Sequence, residues 1–206
     1  VWRDRGGLVS NKTKILDKRD FAPPSFDGLP LDEYWGVNYL PQIASRGCYY
    51  GKCSFCAIPY GWGNGGFIGH GSPEQVVQSM KSASLQHGIH NFKFADEALH
   101  PTLFRKIAEL LREENFVCEF EGYARFEPLW SDREFLDVVA SSGLKKVYLG
   151  LELAPSKSRT LLNKADKGDA VETLENLRAA GIRAHVFCMF GFPGTGASSL
   201  SDLGHV

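Results

Sequence analysis

The sequence is organised around one stretch, Ser45-Arg46-Gly47-Cys48-Tyr49-Tyr50-Gly51-Lys52-Cys53-Ser54-Phe55-Cys56. Three of its cysteines fall within nine residues, and the stretch contains two glycines and no β-branched residue, which is typical of a loop able to wrap a metal. Thiolates are the ligands of iron–sulfur clusters and of structural zinc. A cluster with four irons and three thiolate ligands leaves one iron open to a ligand that is not protein, and an open iron beside a loop is a reactive centre.

Three classes of protein are compatible with the cysteine loop alone. A zinc-binding module needs a fourth ligand, and the nearest candidate is His70, fourteen residues past Cys56. An iron–sulfur electron-transfer protein would normally bring a fourth cysteine nearby, whereas Cys118 lies 62 residues past Cys56. A reactive cluster needs no fourth residue. A disulfide is disfavoured because the cysteine count of five is odd and no apolar signal segment precedes the loop.

Composition narrows the class further. The 206 residues are 43% hydrophobic and 23% charged, which is ordinary for a globular domain with a real core. A net charge of −1 gives no electrostatic reason to expect nucleic acid or an anionic membrane as partner. No apolar run approaches the ~20 residues that span a bilayer. Free cysteines intended for a cluster predict a reduced, cytoplasmic setting.

Beyond the lead-in, the chain alternates between strand and helix patterns. Strands are predicted at 39–44, 90–95, 117–124, 145–153 and 183–190, and helices at 73–87, 101–114, 131–142 and 168–180. This alternation predicts a parallel α/β sheet with right-handed crossovers. Residues 1–39 lack strong periodicity and contain several turn signals, so we assign them to a linker and residues 40–206 to one core domain.

The unusual residues fall at the carboxyl ends of the predicted strands, where folds of this kind form their active sites. The first strand leads into the cysteines, and the later ones end at Asp96 and Glu97, at Arg125 and Glu127, at Glu152, and at Gly191-Phe192-Pro193-Gly194. A small zinc-binding loop inserted in an unrelated fold would not need these residues at the ends of several strands. The pattern therefore favours a reactive cluster.

Side chains on the third and fourth predicted strands alternate between two faces of the sheet. Several of these side chains have more than one possible role. On the third strand, Glu119 and Glu121 are predicted to neutralise a neighbouring Lys93 or Arg183. Arg125 at its end is compatible with an anion contact, such as a carboxylate, or with a structural ion pair.

On the fourth strand, Gly150 leaves room for a ligand in the lumen. Glu152 is then a candidate acceptor for ribose hydroxyls, with a buried pair to Arg125 or Lys157 as the alternative. Cys118 and Cys188 lie in mid-strand and are predicted to be small core residues.

A glycine-rich segment follows the cysteine loop. Residues 61–66 formally match the G-x-G-x-x-G pattern of dinucleotide-binding folds, but they follow a loop rather than a strand, so we do not assign that function. The six glycines between Gly61 and Gly71 predict a mobile flap instead.

In this order, the motifs resemble the radical S-adenosylmethionine (radical SAM) enzymes over about residues 41–194. The matching segments are the Cys-x4-Cys-x2-Cys loop with Phe55, Phe94-Ala95-Asp96-Glu97-Ala98, Gly150-Leu151-Glu152, Ala180-Gly181-Ile182 and Gly191-Phe192-Pro193-Gly194. The family usually has three residues between the first two cysteines, and this chain has four. The resemblance implies a TIM-like (β/α)6 barrel, of which about five parallel strands are present here.

The resemblance also implies cofactors and a reaction. Cys48, Cys53 and Cys56 would hold a 4Fe–4S cluster, and the contacts to S-adenosylmethionine would come from Phe55, Asp96, Glu97, Arg125, Glu152 and Gly191. Such enzymes cleave S-adenosylmethionine reductively to a 5′-deoxyadenosyl radical, for hydrogen abstraction or radical methyl transfer. Flavodoxin or ferredoxin is the implied electron donor, and the substrate is a small molecule or peptide that the sequence does not identify.

Two further expectations concern what lies outside this chain. The segment from Pro23-Pro24 to Tyr34 and the Arg46-Gly47-Cys48 run look like members with an upstream cobalamin-binding domain, which leaves cobalamin open as a third cofactor. Only twelve residues follow Gly194, and the six-unit core would need one more helix–strand unit. We therefore expect the chain to be a fragment truncated at its C-terminus within the barrel.

Overall fold

The computed structural model describes residues 2–10, 22–61, 67–152, 162–164 and 168–189. Its strands are β1 (Trp2–Asp4), β2 (Gly7–Val9), β3 (Leu40–Gln42), β4 (Ser45–Gly47), β5 (Phe67–His70), β6 (Asn91–Phe94), β7 (Glu119–Ala124), β8 (Leu144–Glu152) and β9 (Arg183–Cys188). Its α-helices are α1 (Ile58–Gly61), α2 (Pro73–His87), α3 (Pro101–Glu113), α4 (Arg133–Ser141) and α5 (Ala170–Ala179), and a 3-10 helix covers Pro128–Ser131.

Five strands form one sheet in the order β3-β6-β7-β8-β9, and every neighbouring pair is parallel. A helix lies between each strand and the next along the chain: α2, α3, α4 and α5 in turn. The winding therefore always advances in one direction, as in a barrel, and the carboxyl ends of all five strands lie at one edge. The predicted parallel α/β sheet is confirmed, with element boundaries within a few residues of those expected.

Local signals place the helix ends. Pro73 occupies the first turn of α2, and Gly88 ends that helix in a left-handed conformation with φ 67°, which glycine adopts without steric cost. The Asp132 side chain accepts a hydrogen bond from Phe135 N at 2.7 Å and so caps α4. Within the described ranges, no helix is both long and apolar enough to cross a membrane.

The core lies between the sheet and its helices and is rich in aromatic rings. The ring of Phe104 on α3 packs within 5.9 Å of the rings of Phe94 and Phe120 and within 5.5 Å of Trp130, centroid to centroid. Gly122 makes this approach possible, since a Cβ there would lie 3.3 Å from the Phe104 ring and 3.2 Å from Phe94. The helix layer is thereby fixed tightly against β6 and β7.

The opposite face of the sheet is polar. Glu121 pairs with Lys93 at 3.2 Å and with Lys146 at 3.7 Å, and it accepts a hydrogen bond from the Tyr148 hydroxyl at 2.9 Å. The expected neutralisation of Glu121 by Lys93 is confirmed. Glu119 instead pairs with a residue of β8, Lys145, at 3.7 Å.

Two antiparallel hairpins were not predicted. One joins β1 to β2 within the segment assigned as a linker. The other pairs β4 with β5, so that strands bracket the cysteine loop at both ends. Of the residues in the expected flap over 61–71, Phe67–His70 form the second strand of this hairpin, and residues 62–66 lie outside the described ranges. The mobility of the flap stays a prediction.

Candidate active site

Two carboxylates at the end of β6 hold the start of the cysteine loop. Asp96 is 1% exposed and accepts hydrogen bonds from Ser45 Oγ at 2.6 Å, from Ser45 N, and from Ala44 N at 3.0 Å. Glu97 accepts a hydrogen bond from Gly47 N at 2.9 Å. Both residues thus fix the backbone just before Cys48. Their expected contact with S-adenosylmethionine stays a prediction.

Burial dominates the acidity of Asp96. Removal from water raises the pKa of this carboxyl from 3.8 to about 6, and the hydrogen bonds from Ser45 and Ala44 oppose that rise. The raised pKa follows from the physics of burial, because a low dielectric disfavours the charged form. Burial therefore destabilises the charged form of Asp96, the same form that accepts the hydrogen bonds from the loop.

The donor set of the loop suits an iron–sulfur cluster. Cys48, Cys53 and Cys56 are free thiols of intermediate exposure, and Cys56 N donates to Cys53 O at 3.2 Å within the loop. In the described part of the chain, no three His, Cys, Asp or Glu side chains are grouped closely enough for a single metal ion. Three thiolates on one loop are a suitable donor set for an iron–sulfur cluster, because thiolates are the ligands of such clusters.

Arg125 extends from the end of β7 into the cysteine loop. Its side chain is 6% exposed, its Nε lies 3.3 Å from Glu127 Oε1, and its guanidinium lies 4.0 Å from the centre of the Tyr50 ring. Of the two roles left open by the sequence, the structural ion pair is present, and its partner is Glu127.

Glu127 has a second partner in the loop. The Tyr49 hydroxyl donates to Glu127 Oε1 at 3.3 Å, and burial, followed by the charge of Glu127, raises the pKa of Tyr49. Tyr49 is therefore a neutral donor at physiological pH. The aromatic pair Tyr49 and Tyr50 connects the loop to β7, a role that the sequence pattern did not indicate.

A short segment after β8, Leu162-Asn163-Lys164, attaches the loop from the other side. Ser54 N donates to Leu162 O at 2.9 Å, and Asn163 Nδ2 donates to Lys52 O at 2.9 Å. The Tyr50 hydroxyl donates to the Asn163 carbonyl at 2.5 Å. Sequence reasoning missed this contact. The one available signal is an asparagine, which at φ 46° adopts the left-handed conformation that few other residues tolerate.

Glu152 ends β8 and forms an ion pair with Lys164. The carboxylate and ammonium lie 3.1 Å apart, with side chains 14% and 5% exposed. Lys164 also donates to the Gly150 carbonyl. The alternative that Glu152 is paired is therefore realised, with Lys164 as its partner, whereas Lys157 lies outside the described residues. The ribose contact of Glu152 stays a prediction.

The lumen space next to Gly150 is filled by this pair. A Cβ at Gly150 would contact Glu152 Oε1 and would lie 2.7 Å from Lys164 Nζ. The missing side chain of Gly150 therefore leaves space for the side chains of Glu152 and Lys164. Their ion pair occupies the space that the sequence analysis assigned to a ligand.

The other residues singled out in the sequence do not all lie at the cysteine loop. Phe55 is 39% exposed on the loop, and Gly191 lies outside the described residues. Cys118 is buried in the core, as expected, and Cys188 packs against the core while partly buried. The polar strand ends thus converge on the cysteine loop mainly as supports for it.

A parallel α/β sheet with a braced three-thiol loop at its carboxyl edge is the arrangement of a partial α/β barrel with its candidate site at that edge. The chain belongs to the radical SAM superfamily, since the family model described as "Radical SAM superfamily" matches residues 43–203. Membership implies S-adenosylmethionine and a 4Fe–4S cluster as cofactors. A comparison with curated proteins found no significant match.

Solved structures share the fold. The radical S-adenosylmethionine methyltransferase TsrM from Kitasatospora setae, with tryptophan substrate and a SAM analogue bound, matches with a TM-score of 0.67 and 22% identity over 82% of this chain and 33% of its own. The cobalamin-dependent S-adenosylmethionine radical enzyme OxsB, in its apo form, matches with a TM-score of 0.69 and 20% identity over 97% of this chain and 30% of its own. This chain therefore spans about a third of the length of each neighbour, and the likeness concerns the fold.

Proposed function

We propose that this chain is the catalytic core of an enzyme that binds a 4Fe–4S cluster through Cys48, Cys53 and Cys56 and cleaves S-adenosylmethionine reductively. The observation that carries the proposal is the bracing of the three-thiol loop from the ends of β6 and β7 and from the segment 162–164. Asp96 and Glu97 hold its entry, Arg125 its middle, and the segment 162–164 its far side. A loop that only carried a surface metal would not need supports from three separate parts of the fold.

In that reaction, the residues of this chain hold the cysteine loop and surround it. When bound, the reduced cluster supplies one electron for the cleavage of S-adenosylmethionine to a 5′-deoxyadenosyl radical. The braced loop holds its backbone in place around the three cysteines, because that backbone is hydrogen-bonded to the buried Asp96, to the half-buried Glu97 and to Asn163. The buried ion pair at the end of β8 and the stacked Arg125 and Tyr50 occupy space beside the loop.

The reaction that follows radical formation is the finer part of the proposal. The two structural neighbours are a methyltransferase and a cobalamin-dependent radical enzyme. This supports radical methyl transfer or hydrogen abstraction on a small molecule or peptide, with cobalamin bound outside the chain described. A flavodoxin or ferredoxin is proposed as electron donor.

Anaerobic reconstitution of the full-length protein tests the assignment. The parent should take up about four irons per chain and turn brown, and with dithionite it should release 5′-deoxyadenosine from S-adenosylmethionine. Cys48→Ala, Cys53→Ala and Cys56→Ala should each lose the iron. The matched controls Cys118→Ala and Cys188→Ala should keep it. Zinc in place of iron, or a cluster lost from a folded control variant, would contradict the proposal.

A further inference from the structure

A cavity of about 370 Å³ lies between helix α2 and the extended segment 22–26. Gln42 and Ile43, at the end of β3, also line it, together with Gly71 and Ser72 at the start of the helix. The residues described above as supports of the cysteine loop do not line it. The cavity is therefore separate from the candidate active site.

A buried amide lies at the wall of this cavity. Gln42 is 1% exposed, and its Oε1 accepts a hydrogen bond at 3.2 Å from the hydroxyl of Ser79, which also lines the cavity. The Nε2 of Gln42 has no hydrogen-bond partner among the residues that the structure describes. Buried polar groups are normally paired, so an unpaired donor here points to an acceptor on a bound molecule.

The lining carries hydrogen-bonding groups without formal charge. Among the described residues it contains four glutamines and four serines, and no aspartate, glutamate, lysine or arginine. The apolar part of the wall comes from Pro23, Pro24 and Phe26. A charged ligand would lose its hydration here without meeting an opposite charge, which is costly. The chemistry of the wall therefore favours a neutral ligand with an apolar body.

The two walls are attached to each other. Phe26 is 8% exposed, and its ring packs edge-on against the ring of His87 on α2, with 5.9 Å between the centroids. Gln86 Nε2, also on α2, donates a hydrogen bond to Asp27 Oδ1. The cavity thus lies between elements that are packed together, and its volume is within the range of about 300–1,000 Å³ typical of small-molecule sites.

We propose that this cavity is a second binding site, which takes a neutral small molecule carrying a carboxamide group. A carboxamide offers both a carbonyl acceptor and an NH2 donor. It can therefore pair with the amide of Gln42 whichever end of that amide Ser79 occupies. The inference goes beyond the proposed function and does not depend on the cluster.

The test uses three probes of nearly the same shape and different charge: benzamide, benzoate and the benzamidine cation. Each is titrated into the full-length protein at about pH 8, where histidine side chains are ordinarily neutral, and binding is followed by ligand-observed NMR. Benzamide should bind with a Kd on the order of 1 mM, as expected for so small a probe. Benzoate and benzamidine should bind about tenfold more weakly, because neither finds a counter-charge.

Three variants locate the site. Gln42→Met keeps the length of the buried side chain but removes its amide, and should weaken benzamide binding about fivefold. Ser82→Tyr places a ring in the cavity from an exposed position on α2, and should abolish binding. Leu85→Tyr is its matched control, since Leu85 lies on the same helix, is 90% exposed and does not line the cavity. Its affinity for benzamide should equal that of the parent.

The outcomes are separable from those of the proposed function. A parent that does not bind benzamide, equal affinity for the three probes, or undiminished binding in Ser82→Tyr would each overturn the inference. If Gln42→Met does not fold, the comparison of Ser82→Tyr with Leu85→Tyr decides the matter. Because binding is measured without regard to iron, a parent that takes up no cluster but binds benzamide selectively would refute the proposed function alone.

Discussion

Asp96 provides the sharpest test of how the loop is held, through the substitution Asp96→Asn. The carboxylate accepts three hydrogen bonds from Ala44 and Ser45 in a site that is 1% exposed. An amide keeps one acceptor oxygen but presents an NH2 group to the backbone N–H of Ala44. The variant therefore loses at least one bond to a charged group, worth roughly 1.5–3 kcal/mol, while it no longer carries a buried charge.

The pH dependence isolates the charge. The pKa of Asp96 rises from 3.8 to about 6 on folding, so the native state binds the proton more tightly than the unfolded chain. The resulting stabilisation is fully present below about pH 4 and is lost as the pH rises through about 6. Between pH 5 and 7.5, this one group should lower the free energy of unfolding by about 1 kcal/mol, since one pKa unit corresponds to about 1.4 kcal/mol.

The assay is urea unfolding followed by tryptophan fluorescence, under reductant and without added iron, at several pH values between 5 and 7.5. The excess stability of the parent over Asp96→Asn should shrink by about 1 kcal/mol across this range. Asp137→Asn, on the exposed face of α4, should track the parent within about 0.5 kcal/mol at every pH. A difference that stays constant or grows with pH would refute the argument.

Two further substitutions test the segment that attaches the loop, both by urea unfolding. Gly150→Ala should cost roughly 1–3 kcal/mol because its Cβ would displace the Glu152–Lys164 pair. Gly71→Ala is its control, since there the nearest atom to the new Cβ is Ala44 O at 3.5 Å; equal losses in the two variants would count against the close contact. Asn163→Ala should cost roughly 1–2 kcal/mol, through the lost bond to Lys52 O and the left-handed φ of 46°. Asn163→Gly keeps the backbone conformation accessible, so a larger loss there than in the alanine variant would be inconsistent with this account.

The order of the elements was predictable because it depends on local periodicity. Alternation with a period of two assigns Phe120 and Gly122 to one face of β7 and Glu121 and Tyr123 to the other, and the burial of these residues follows that alternation. Helix ends follow from proline, glycine and capping side chains a few residues away. The three cysteines also specify the donor chemistry by themselves, since their spacing is local.

The supports of the cysteine loop depend on tertiary structure. Tyr50 bonds to a residue 113 positions away, and Ser45 to one 51 positions away. No local pattern encodes such pairs, because they arise only when parallel strands place their carboxyl ends side by side. An acid at a strand end has the same appearance in the sequence whether it binds a cofactor or the protein itself, so the sequence did not reveal the protein partners of Asp96 and Glu152. Packing alone decided that Asp96 accepts from Ala44 and Ser45 and that Glu152 meets Lys164.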